Sequence, residues 1–120
     1  MNSRADRRLL ERVFRAGLAG VEPAQAVSRA LLQPPVARLL RRARNVGVFA
    51  VGKAAAAMIR GVSGLQVTAL VVLPRGYPPV EFFSAEILFA SHPEPDSSSV
   101  QAALRALRFF SLFGPEDVIL

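Results

Sequence analysis

Residues 46–73 read VGVFAVGKAAAAMIRGVSGLQVTALVVL, and this stretch decides the fold. Val46–Val51 is a near-continuous β-prone run, the pattern of a strand buried on both faces of a parallel sheet. Gly52 punctuates it. Lys53–Arg60 (KAAAAMIR) is built from strong helix formers, and Gly61 and Gly64 close it. Val67–Leu73 is a second buried apolar run. Strand, helix and strand in this order predict a parallel crossover unit and an α/β class.

The pattern continues downstream. A Pro/Gly loop (PRGYPP, 74–79) follows the second strand. Val80–Phe83 offers a short extended piece, and Ile87–Ala90 a third strand. The polar run SHPEPDSSS (91–99) is a loop in which Ser97 or Ser98 can cap the next helix. That helix is expected over about 98–113, with Val100, Ala103, Leu104, Leu107 and Phe110 inward and Gln101, Arg105 and Arg108 outward. Asp117–Leu120 then begins a fourth strand, at which the sequence stops. A free carboxylate at the end of a buried apolar strand is costly to desolvate. The expectation is therefore an incomplete domain from a longer protein; the alternative is a short edge strand with a solvated terminus.

Upstream the period is helical. Residues 4–19 place Leu9, Leu10, Val13, Phe14 and Leu18 on one side and Arg7, Arg8, Glu11, Arg12 and Arg15 on the other. A second helix starts at Glu22-Pro23, with proline in the first turn and an acid at the positive helix end. It carries Ala26, Val27, Ala30 and Leu31 inward and stops before Pro34-Pro35. A third, short helix covers about 35–43. The overall expectation is a Rossmann-like, mainly parallel sheet with flanking helices. Residues 1–44 form a basic helical segment ahead of it, and 45–120 form the first part of the α/β domain.

Composition narrows the chemistry. The chain has 120 residues, 52% hydrophobic and 20% charged, enough for one domain with a core. It has no cysteine, which excludes a disulfide scaffold, a thiolate metal site and a cysteine nucleophile. One histidine, His92, excludes a multi-histidine metal site within the chain, and no metal ligand is assigned. The longest apolar stretch is interrupted by Lys53 and is shorter than the roughly 20 residues a bilayer requires. The charged start RADRRLLERVFRAGL lacks the uncharged core of a signal peptide. A cytoplasmic protein with no membrane partner is expected.

Charge is uneven. Residues 1–44 carry ten arginines against three acids, net +7, and residues 45–120 carry five bases against six acids, net −1. A basic first third is compatible with a nucleic-acid surface. The arginines are spaced on helix faces without aromatic company, so solvated faces and no nucleic-acid partner are expected. Fourteen of the fifteen bases are arginine, and Lys53 is the only lysine. Where arginine is a planar fork, lysine is a compact point charge that meets an anion end-on.

Lys53 also follows a strand end and precedes a helix, where free N–H groups and the helix dipole favour an anion. Gly52 and Lys53 are therefore candidates for an anionic ligand; the alternative is a solvated lysine that happens to begin a helix. Gly47–Lys53 (GVFAVGK) has the spacing of a P-loop but not its substance. Val48–Val51 belong in a strand, and Ala54 replaces the Ser or Thr that would bind magnesium.

The second constellation is His92-Pro93-Glu94-Pro95-Asp96. In a parallel sheet it shares a rim with Gly52-Lys53. Histidine can serve as general base or phosphate donor, and a carboxylate can bind magnesium. Equally, Asp96 can cap the next helix while His92 packs on the loop. Arg75, after the second strand, is a third candidate on the same rim.

These residues resemble the type-2 glycerate kinases, a family often misnamed hydroxypyruvate reductase. The resemblance is carried by RVFRAGLAGVEPAQAV (12–27), VFAVGKAAAAM (48–58), SHPEPDSSSVQAALRAL (91–107) and EDVIL (116–120), in the family's order and spacing. It implies transfer of the γ-phosphoryl of ATP to the 2-hydroxyl of D-glycerate, giving 2-phosphoglycerate, with magnesium. It implies a catalytic role for Lys53, with Gly52, His92, Asp96 and Arg75 near the substrate. The partners implied are glycerate and ATP; self-association stays open. Ser91 stands where the family usually has glycine, and Ser97 where an acid is common. The family's Gly-rich Ser-Gly-Gly-Gly-Ser loop and second domain would follow Leu120, so the 120 residues alone are expected to be inactive. The competing readings are a non-catalytic α/β anion-binding or oligomerisation module and an arginine-based nucleic-acid binder.

Overall fold

The computed structural model describes residues 3–82 and 84–120. Four strands form one sheet: β1 (Val46–Val51), β2 (Thr68–Pro74), β3 (Ala85–Ala90) and β4 (Val118–Ile119). All pairings are parallel and the order is β3-β2-β1-β4. The helices are α1 (Ser3–Gly20), α2 (Pro23–Leu31), α3 (Pro34–Arg42), α4 (Ala55–Ile59) and α5 (Ser97–Phe110), with a 3-10 turn at Arg60–Val62 after α4. The α/β class and parallel sheet follow from the apolar runs as expected. The central strand β2 is buried from Ala69 to Pro74, which is why Val67–Leu73 reads as uninterrupted hydrophobic sequence.

Two cores flank the sheet. One gathers Val48, Ala55, Ile59, Val62, Val71 and Leu73 beneath α4 and α2. The other holds Leu70, Ala106 and Phe109 beneath α5, with Phe49, Leu88 and Phe113 at its margin. Fully burying side chains the size of valine or leucine stabilises the fold by about 1.5–3 kcal/mol each.

Several local expectations are corrected. The alanine-rich helix is shorter than its composition suggests. Gly52 adopts φ +101°, and Ala55 N donates to Gly52 O at 3.1 Å, so Lys53 and Ala54 form a turn ahead of α4. At its far end Gly61 lies so close to α2 that an added Cβ would sit 2.5 Å from the Ala24 carbonyl oxygen. The face of α5 is also different. Ala102, Ala106 and Phe109 are buried, Arg105 is half-buried, and Val100, Leu104 and Leu107 are exposed. Small residues let the helix approach the sheet, and Arg105 adds a two-pronged contact from its Nε (2.8 Å) and Nη2 to the Glu86 carboxylate on β3. On α2, Val27 and Leu31 are half-buried while Ala26 and Ala30 are exposed. Val80–Phe82 forms no strand, and Phe83 lies outside the described residues. The helix after the Pro-rich loop is capped by Asp96, not by Ser97 or Ser98.

The apolar stripe of α1 (Leu9, Leu10, Val13, Phe14 and Leu18) is exposed, as is that of α5. Glu22 caps α2 through Ala24 N (3.2 Å) and Gln25 N (2.8 Å). Those bonds, the Gln25 one foremost, hold its carboxyl below the ordinary range. Among the described residues no helix is long and apolar enough to cross a membrane.

β4 pairs with only Val46 and Gly47, yet its start is fixed. Asp117 Oδ1 accepts from Asn45 N (3.0 Å) and Asn45 Nδ2 (2.9 Å), and Oδ2 accepts from Gly114 N (2.7 Å). Leu120 then exchanges backbone bonds with β1, donating to Gly47 O and accepting from Phe49 N, each at 2.9 Å.

Candidate functional site

Because the strands are parallel, the segments that leave β1, β2 and β3 emerge on one edge of the sheet, at the strands' carboxyl ends. In open α/β sheets this is the edge at which ligands bind. Gly52-Lys53 leaves β1, Arg75 leaves β2, and His92 to Asp96 leave β3. With neighbouring strands about 4.8 Å apart, the β1 and β3 ends are separated by about 10 Å. The five sequence candidates therefore share one rim.

Two of them border one depression. Gly52 and His92 line a shallow depression of about 140 Å³ with Val51, Val72, Leu73, Pro74, Ala90 and Ser91. A larger apolar cavity of about 320 Å³ lies elsewhere, between α2, α4 and β1, and carries no ionisable side chain. The rim is the better candidate because it holds the chemistry.

Lys53 is exposed, and its ammonium takes part in none of the ion pairs among the described residues. It belongs to the turn before α4, a helix of five residues. So short a helix sums few peptide dipoles. What this position offers an anion is the lysine's own charge, presented from a fixed turn. Gly52 makes that turn possible, since φ +101° is favourable only without a Cβ. Val48–Val51 lie in register with Ala69–Val72, so the P-loop spacing around them is accidental.

Arg75 and Asp96 come together differently from the sequence expectation. Arg75 Nη1 lies 3.5 Å from Asp96 Oδ2. Asp96 Oδ1 accepts from Ser98 N at 2.8 Å and from the Ser98 hydroxyl. Asp96 N donates to Ser99 Oγ at 3.3 Å, completing a capping box on α5. These contacts hold the Asp96 carboxyl below the ordinary range, the Ser98 hydroxyl foremost, then the Ser98 N–H, with Arg75 adding to them. The Ser98 hydroxyl in turn accepts from Ser91 N at 3.0 Å. The cap by Asp96 is the alternative the sequence offered; the roles of Ser91, Ser98 and Ser99 in this network were missed, and the Asp-x-x-Ser spacing at 96–99 is the signal that could have found Ser99.

The donor set does not fit a resident magnesium ion. Among the described residues no three His, Asp or Glu side chains converge, and Asp96 is engaged by Ser98 at Oδ1 and by Arg75 at Oδ2. Nor do the described residues form a glycine-rich cradle for nucleotide phosphates: the β1 turn has Gly52 alone.

A family described as "Domain of unknown function (DUF4147)" matches residues 9–120. The chain belongs to the DUF4147 family. This domain is found at the N-terminus of glycerate 2-kinase and hydroxypyruvate reductase-like proteins. A relative from Agrobacterium vitis, provisionally named hydroxypyruvate reductase, is 33% identical over 122 residues, covering 98% of this chain and 26% of the relative. A crystal structure of the PH0495 protein from Pyrococcus horikoshii OT3 is similar with a TM-score of 0.58 and 32% identity, over 62% of this chain and 17% of that one. The DUF4147 chain thus spans about a quarter of the curated relative it matches.

Proposed function

We propose that this DUF4147 chain is the N-terminal domain of a glycerate 2-kinase, which moves the γ-phosphoryl of ATP to the 2-hydroxyl of D-glycerate and yields 2-phosphoglycerate. One observation carries the reading: the sole lysine and the sole histidine stand on the same rim, beyond the ends of β1 and β3. Phosphoryl transfer relies mainly on positioning and on neutralising charge. Lys53 brings a compact positive charge to the glycerate carboxylate or to the incoming phosphoryl group. His92 stands at the depression beside Gly52, where a hydroxyl proton can be accepted. Nucleotide and magnesium are held by residues outside this chain, which by itself does not turn over. The location proposed is the cytoplasm.

The relatives' other name, hydroxypyruvate reductase, would call for hydride transfer from a dinucleotide. The β1 turn favours the kinase reading, since Gly52-Lys53-Ala54-Ala55 has one glycine where the dinucleotide fingerprint has three. The test is glycerate phosphorylation by the full-length protein, wild type against Lys53→Ala. The reading expects kcat/KM to fall by at least about a hundredfold, the scale of losing one positioned electrostatic group. Unchanged activity would remove Lys53 from the mechanism, and absence of phosphorylation in the wild type would end the kinase reading.

A further inference from the structure

We propose that Asp96 is a positioning residue for His92 and does not itself bind ligand: with Arg75 and Ser98 it fixes the His92 loop against the end of β2. The proposal rests on reading this rim as the glycerate site.

The loop from Ser91 to Asp96 is held at both ends. At its start, Ser91 N donates to Ser98 Oγ, and the carbonyl of the preceding residue, Ala90, accepts from Arg75 N at 2.8 Å. At its end, Asp96 accepts from Ser98 and pairs with Arg75. Ser98 is the shared member, bonded to both ends of the loop. Arg75 is the second, reaching Ala90 through its backbone and Asp96 through its side chain. His92 lies between these anchors, directly after Ser91, at the wall of the depression. Asp96 Oδ1 is engaged by Ser98 and the charge at Oδ2 is met by Arg75, so a ligand at this carboxylate would have to compete with both. Arg75 is likewise engaged, which leaves Lys53, of the cations placed on this rim, to meet an anion.

Capping and latching can be separated by substitution. Asparagine caps a helix about as well as aspartate, so Asp96→Asn keeps the cap of α5 and removes the charge that Arg75 meets. Arg75→Gln removes the other partner from an exposed site. The chain has one histidine, so its imidazole protons give a single, unambiguous set of NMR signals. In the full 120-residue chain, the wild type is expected to show cross-relaxation between the His92 ring and the methyl groups of Val51 or Val72. Asp96→Asn and Arg75→Gln should each lose most of that intensity while keeping the far-ultraviolet circular dichroism of the folded chain, and the double variant should lose no more than either single one. Asp96→Asn with wild-type cross-relaxation would overturn the proposal and leave Asp96 as a cap alone. Glycerate phosphorylation, measured separately in the full-length protein, keeps the two ideas apart. A wild type that does not phosphorylate glycerate, with cross-relaxation lost in the variants, sinks the kinase reading and keeps the latch; an active wild type whose variants keep their cross-relaxation sinks the latch.

Discussion

Truncating Phe109 should cost far more than truncating Leu104, although both lie on α5 and both are large and apolar. Phe109 is 2% exposed, packs on Leu70 beneath the sheet and stacks edge-on against Phe113 at 5.1 Å between ring centroids. Burying about 150–200 Å² of ring at about 25 cal/mol per Å² gives about 4–5 kcal/mol. The range observed for Phe→Ala in cores, about 3–5 kcal/mol, agrees. At about 4 °C per kcal/mol for a domain of this size, Phe109→Ala should melt about 12–20 °C below wild type. Leu104 is 55% exposed, and Leu104→Ala should change stability by no more than about 0.5 kcal/mol. Thermal unfolding followed by far-ultraviolet circular dichroism checks both. If Leu104→Ala proved as damaging as Phe109→Ala, α5 would face the sheet with the stripe that hydrophobic periodicity nominates, and the packing of Ala102, Ala106 and Phe109 on β2 would be wrong.

Other perturbations have equally definite outcomes. Gly61→Ala places a Cβ 2.5 Å from the Ala24 carbonyl and 2.7 Å from Val27 Cβ; urea unfolding should show a loss of about 1–3 kcal/mol as α2 is pushed away. Gly52→Ala forces a side chain onto φ +101° and should lose about 1–3 kcal/mol. Lys53→Ala, at the next residue but exposed, should be neutral within about 0.5 kcal/mol in the same titration. Asp96 and Asp117 have carboxyls held below the ordinary range by hydrogen bonds, foremost from the Ser98 hydroxyl in one case and from Gly114 N in the other. Their stabilisation is fully present above the unfolded aspartate value of about 3.9 and is lost as pH falls through the lower folded values. Melting temperature should therefore drop below about pH 4, and by less in an Asp96→Asn, Asp117→Asn double variant once each is referred to its own value at neutral pH.

The sheet was legible because buried parallel strands write themselves as unbroken apolar runs, and Val46–Val51 and Val67–Leu73 are such runs. The shared rim was legible for the same reason: once the strands are parallel, Gly52-Lys53, Arg75 and His92 must leave on one side. Periodicity misled on α5, because the hydrophobic stripe Val100, Leu104, Leu107 is exposed while the alanines, which carry little hydrophobic signal, allow the close approach to β2 and β3. It also overextended α4, since helix propensity knows nothing of the turn at Gly52 or of α2 lying against Gly61. At the rim, residue type left Asp96 open between a ligand contact and a cap on α5, and offered Arg75 as a ligand contact. The cap is local, but the pairing of Asp96 with Arg75 and the bond from Ser91 N to Ser98 depend on a loop conformation that no local pattern encodes.

If Lys53 and His92 face one anionic ligand from one rim, D-glycerate should register at both. Titrating it into the 120-residue chain while following the His92 ring signals tests this with no enzyme assay. The account predicts saturable shifts of those signals in the wild type and at least a tenfold weaker midpoint, about 1.4 kcal/mol, in Lys53→Ala. Signals that stay still in the wild type, or that move identically without the lysine, would contradict it.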